Sequence, residues 1–229
     1  MALALALTPV QAFAQANQCR VPDRIEEPES ESPRPGESIT VPATGNLLSL
    51  SWSPQYCRER GREPKNRWQC GTEAGQFGFI LHGLWPDAPG RADPAWCAPA
   101  KPLSRALIRQ HFCMTPSPQL LQHEWTKHGT CATDRPEKYF KAASLLYSAI
   151  HYPAMEALSL KRLSVGSFSA AVLRANPGLR PGMMSVDVSR EGWLEGVRIC
   201  LDTALRPRIC PREDRGAKPG RPLRIWLGR

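Results

Sequence analysis

Apolar residues interrupted by two serines in Leu47-Leu48-Ser49-Leu50-Ser51-Trp52 predict the first strand. A second run, Gln76 to Leu81, predicts a strand that delivers His82 at its end, with Gly83 and Pro86 then breaking it. Between them Arg58 to Asn66 is dense in charge and predicts a loop between Cys57 and Cys70. The pattern then changes to helical spacing at Leu103 to Phe112 and Pro118 to His128. For the second of these, Ser117 fits the N-cap, Pro118 the first helical position and Gly129 the position just past the end. Pro136 to Ile150 predicts another helix, with Phe140, Leu145 and Ile150 in rough register, and Ser167 to Ala175 a shorter one. Met183 to Val188, Trp193 to Leu201 and Leu223 to Leu227 predict late strands. Strands first, helices next and strands last imply an α+β domain, with a mainly antiparallel central sheet flanked by helices. No internal repeat interrupts this order.

The ends differ from the middle. Met1 to Ala16 is apolar, free of charge and closes on Ala12-Phe13-Ala14 and Ala14-Gln15-Ala16, so residues 1–16 are expected to be a secretory signal. Residues 17–45, rich in Pro, Glu and Ser, predict a solvated leader. Residues 46–211 remain for one folded domain, and 212–229 for a basic tail. No other run is long and apolar enough to span a bilayer. The eight cysteines, an even number behind an export signal, imply a disulfide-stabilised domain in a secreted or periplasmic protein. They contain no CxxC pair, so the expectation is no zinc site, no other metal and no cofactor. The formal net charge is +9, concentrated in the domain and the tail and opposed by an acidic leader. That distribution favours a polyanionic partner such as nucleic acid, without excluding a charge that merely keeps the protein soluble.

Candidate chemistry gathers in two blocks. In His123-Glu124-Trp125-Thr126-Lys127-His128-Gly129-Thr130-Cys131, the residues His123, Glu124, Lys127 and His128 fall on an ideal helix at about 0°, 100°, 40° and 140°. They share that side with Leu120 and Leu121, so the cluster is not on a plainly solvated face. Trp125 falls at about 200°, off that face, which favours a structural role. The other block, Phe79-Ile80-Leu81-His82-Gly83-Leu84-Trp85-Pro86-Asp87, adds a third histidine, an aromatic side chain and a carboxylate. Two histidines can divide base and acid work near neutral pH, and a lysine beside them suits an anionic transition state. Trp85 can stack a base and Asp87 can accept from an exocyclic amine. A zinc-protease reading fails because the residue four after His123 is Lys127. A Cys-His nucleophile is weak because Cys131 has disulfide partners available.

With these two blocks the chain closely resembles the ribonuclease T2 family, as a secreted bacterial-type member, over about Leu47 to Cys210. The nine residues from His123 are its specific signature. The resemblance implies a metal-independent endoribonuclease acting on single-stranded RNA by 2′-hydroxyl transesterification. The products would be 2′,3′-cyclic phosphates and then 3′-phosphates. It implies His128 as base, His82 as acid, Lys127 and Glu124 as transition-state stabilisers, His123 as phosphate holder, and Trp85 and Asp87 as lining of the first base pocket. It also implies the pairs Cys200–Cys210, Cys97–Cys131 and Cys57–Cys70, leaving Cys19 with Cys113. Many members of the family it resembles carry a further cysteine near Asp187, which this chain lacks. The expected protein is a monomer that leaves DNA uncleaved. An RNA-binding or interaction protein without turnover is the alternative, and the intact set His82, His128, Lys127 and Glu124 speaks against it.

Overall fold

The computed structural model describes residues 15–90 and 92–228. Its centre is an antiparallel sheet of four strands, β2 (Gly45–Trp52), β4 (Phe79–Asp87), β6 (Met184–Val188) and β7 (Leu194–Leu201), in the order β4-β2-β7-β6. Four two-residue strands form the margins: β1 (Ala16–Asn17) pairs with β3 (Gln76–Phe77), and β5 (Leu163–Ser164) with β8 (Pro222–Leu223). The helices are α1 (Ser53–Arg60), α2 (Arg67–Cys70), α3 (Arg105–His111), α4 (Pro118–Glu124), α5 (Thr130–Ala132), α6 (Pro136–Ser148), α7 (Met155–Ser159) and α8 (Val165–Ala175). This is the α+β architecture that the sequence predicts. Trp52, Phe79, Phe112, Phe140 and Phe168 are fully buried in the core between sheet and helices. All eight cysteines are paired: Cys19–Cys113, Cys57–Cys70, Cys97–Cys131 and Cys200–Cys210.

Several elements depart from expectation, each for a local reason. The second strand does not stop at His82. It runs through Gly83 and Pro86 to Asp87. A proline is tolerated there because β4 is an edge strand with no ladder partner on its outer side. That outer edge is satisfied otherwise: Leu81 N–H donates to Met114 O, and the Tyr139 hydroxyl bonds both Leu84 N and Leu84 O. The charged stretch 58–66 is largely helical, because Pro54 starts α1 directly after β2 and the basic Arg58 and Arg60 suit its C-terminal turn. On α6 the inward residues are Tyr139, Phe140, Ala143 and Tyr147, whereas Leu145 is 65% exposed. Of the strand expected at 223–227 only Leu223 is paired in a ladder.

The flanks are packed rather than loose. Residues 1–14 lie outside the described part, but Ala16 pairs with Phe77, so a boundary after residue 16 falls inside a strand. The leader is fastened by Cys19–Cys113 and buries Ile25. At the other end Leu223 and Ile225 are buried in the core, and Trp52 Nε1 donates to Trp226 O at 2.7 Å. The basic tail is therefore part of the domain's packing.

Candidate active site

A one-residue irregularity in β4 aims His82. Ser49 of β2 faces Gly83 and Leu50 faces Leu81, so His82 is the bulged residue without a partner on β2. In a regular strand His82 and Trp85, three apart, would project from opposite faces. The bulge lets both rings meet, with centroids 5.3 Å apart and edge to face. Gly83 between them has no alternative, because a Cβ there would overlap the Glu124 carboxylate.

The second block carries a matching irregularity. Ser117 caps α4 as expected, its hydroxyl accepting from Leu120 N–H. Gly129, however, does not end the helix. Trp125–Gly129 form a π turn, in which Thr130 N–H donates to Trp125 O five residues back, and α5 continues beyond it. Each residue of such a turn advances less than in an α-helix, which swings His128 toward the side of His123. Gly129 is required by packing, since a Cβ would overlap the Trp125 ring. Trp125 itself is buried against Tyr139 and structural, as its angular position implies. Cys97–Cys131 then ties this helix to the 88–97 segment, where Trp96 N–H donates to Lys127 O at 2.7 Å.

Together the two blocks line a cleft of about 1070 Å³ that includes His82, Trp85, His123, Glu124, Lys127 and His128. Glu124 is 2% exposed, accepts from Trp85 Nε1 at 2.6 Å and lies 3.4 Å from His82 Nε2. His82 Nδ1 is 2.9 Å from Ser51 Oγ. His128 stacks on Trp85 with centroids 5.3 Å apart. Burial with few compensating charges pushes the Glu124 carboxyl up to about 8. Burial first, and then the positive charges of His123 and Lys127, hold the His82 and His128 imidazoles below their usual range. The site thus favours a protonated Glu124 beside neutral imidazoles.

Of the two expected base-pocket residues, Trp85 lines the cleft and Asp87 does not. Trp85 is occupied by Glu124 and His128 rather than standing as a free platform. Asp87 does not reach the cleft. It is 3% exposed and its carboxylate is bonded by the Arg208 guanidinium, because β4 continues past the cleft into the sheet's far end. Sequence reasoning missed Trp96 and Glu31, which line the cleft, and Ser51, which contacts His82 from behind it. Ser51 alternates with core residues on β2, and Trp96 adjoins a cysteine paired to the catalytic helix, so each left a faint local sign. Glu31 left none.

The model of the ribonuclease T2 family matches residues 45–163, the span that holds both blocks. The chain belongs to the ribonuclease T2 family. A ribonuclease of Aeromonas hydrophila is 34% identical over 163 residues, covering 68% of this chain and 70% of that protein. A probable ribonuclease of Haemophilus influenzae is 36% identical over 129 residues, covering 52% of this chain and 47% of that protein, so the chain spans about half the length of that relative. The fold of an RNase-related protein from Calystegia sepium superposes with a TM-score of 0.64 at 22% identity, covering 81% and 98% of the two chains. Ribonuclease MC1 from bitter gourd seeds gives 0.54 at 22% identity over 70% and 90%. The T2 match leaves outside it the leader, with Glu31, and the late hairpin, with Arg208.

Proposed function

We propose that this chain is an endoribonuclease that cleaves single-stranded RNA through the substrate's own 2′-hydroxyl. The observation that carries the reading is the convergence of His82, His123, Lys127 and His128 on one cleft from two separate segments. His128, neutral in the free site, takes the 2′-hydroxyl proton as the 2′-oxygen bonds to phosphorus. A hydroxyl already beside phosphorus gains the proximity advantage of an intramolecular reaction. His82, sharing a proton with buried Glu124, gives that proton to the departing 5′-oxygen. Lys127 and His123 meet the charge that builds on the phosphoryl oxygens. The 2′,3′-cyclic phosphate is then opened by water with the two roles reversed, giving a 3′-phosphate. Trp96, at the cleft wall, is the aromatic surface left for a base once Trp85 is engaged. The protein acts as a monomer without metal or cofactor in an oxidising, exported compartment, which four disulfides suit. Among the described residues no helix is long and apolar enough to cross a membrane.

The test is digestion of a defined RNA in excess EDTA. Early products should carry 2′,3′-cyclic phosphate, and one 2′-deoxy nucleotide should protect its own 3′ linkage alone. Cleavage at the modified linkage, 5′-phosphate ends, or loss of activity in EDTA would overturn the mechanism. Binding of RNA with no cleavage would favour a protein without turnover.

A further inference from the structure

Residues 15–44 precede the family-matched span, yet part of this leader forms a wall of the cleft, where Ser30, Glu31 and Ser32 line it. The placement is built, not casual. Cys19–Cys113 fixes the leader's start. Arg109 donates to Pro22 O at 2.5 Å, and Glu26 and Glu27 pair with Arg67 and Arg105 at 2.9 Å each. On α4 the Gln119 amide clamps the strap, accepting from Glu29 N–H at 2.8 Å and donating to Glu31 Oε1. The other carboxylate oxygen, Glu31 Oε2, lies 2.6 Å from His123 Nδ1. Gln119 and His123 are four apart on α4 and therefore neighbours on its surface. On another side the Trp96 ring stands edge-on to His123 with centroids 5.8 Å apart.

We propose that Glu31 is a positioning residue of the ribonuclease site, holding His123 through Nδ1–H so that Nε2 meets the substrate phosphate. The inference rests on the phosphate-holding role proposed for His123. An ionised carboxylate only accepts, so the contact requires the hydrogen on Nδ1. With Nδ1 occupied and Trp96 fixing the ring plane, Nε2 is the one ring nitrogen left for an anion. A carboxylate that orients a working imidazole in this way selects its tautomer and its rotamer together. The geometry also argues against the opposite role, a strap that blocks the cleft by imitating phosphate. Such a carboxylate would engage the lysine as well, and among the described residues Lys127 has no carboxylate within ion-pair distance. Both Glu31 oxygens are already taken by α4 side chains, which leaves Lys127 for substrate.

Steady-state cleavage of a short RNA by the full chain tests this, with melting temperature measured alongside. Glu31→Ala should lower kcat/KM about 10-fold, mostly through KM, as loss of an orienting partner does. Glu31→Gln retains an acceptor oxygen and should lose only about 3-fold. In a His123→Ala background Glu31→Ala should add nothing. The His123 ring ¹⁵N resonances should report Nδ1–H in the native protein and a changed tautomer in Glu31→Ala. A rise in kcat/KM on removing Glu31 would identify a competitor of the phosphate and overturn the assignment. So would equal losses with and without His123. If His123→Ala impairs cleavage while Glu31→Ala does not, the positioning role alone fails. If His123→Ala changes nothing, the phosphate-holding role fails and the inference falls with it.

Discussion

Glu124, packed against strand β4, and Asp87, its last residue, both carry buried carboxyl groups, and their partners differ. Glu124 meets an indole N–H and an imidazole, both uncharged when His82 is neutral. Asp87 instead meets the guanidinium of Arg208, a permanent cation. Burial raises both Glu124 and Asp87 above their usual range, but at Asp87 the Arg208 cation opposes the shift. A buried carboxyl group is thus suited to carry a proton where no cation is bonded to it, and to act as a strut where one is. Changes in the first region should alter turnover with little loss of stability, and changes in the second the reverse.

The largest effect is expected in the cleft. His82→Ala and His128→Ala should each lower kcat by about 10²–10⁴ without lowering the melting temperature. Near native turnover in either folded variant would remove the acid–base assignment. The next largest is at the strut. Asp87→Ala leaves Arg208 uncompensated and should destabilise the fold by about 3 kcal/mol in denaturant unfolding. The activity of each folded molecule and its base preference should be retained, and a changed preference would return Asp87 to the base pocket. The smallest is a pH effect at Glu124. Below its ordinary pKa of 4.5 both folded and unfolded chains keep this proton, but between there and about 8 only the folded chain does. Ionisation then favours the unfolded state, so this residue makes stability fall as pH rises across that window. Glu124→Gln should abolish the fall, raising stability at pH 8 and leaving it unchanged at pH 4, while turnover drops. A gain independent of pH would mean that Glu124 is ionised in the native protein.

What the sequence disclosed follows from how far apart the contacting residues lie. His123, Glu124, Lys127 and His128 sit within six positions of one helix, so their association is local and legible. The Ser117 cap and the α+β order are local too. His82 joins them only through the β2–β4 register, and its bulge depends on a partner strand about thirty residues upstream. Gly83 and Pro86 look like breakers in the sequence because what admits them is tertiary, the approach of Glu124 at Gly83 and the edge position of β4 at Pro86. Arg208, which withdraws Asp87 from the cleft, is 121 residues away from it. Glu31 is 92 residues from His123 in a segment whose composition signals only solvation. No periodicity carries information across such a distance.

The bulge at His82 and the π turn at Trp125–Gly129 share a property that matters for how such a site could arise and be lost. Each is a regular element with one residue too many. Removing a single codon within Trp125–Gly129 would restore an ordinary helix, and removing one beside His82 an ordinary ladder. Either deletion would leave the hydrophobic pattern nearly intact while turning one histidine away from the other. Inactive descendants of this chain can thus lie one short deletion away, well folded, still cross-linked and still basic. In an alignment they would betray themselves by length rather than by a missing histidine.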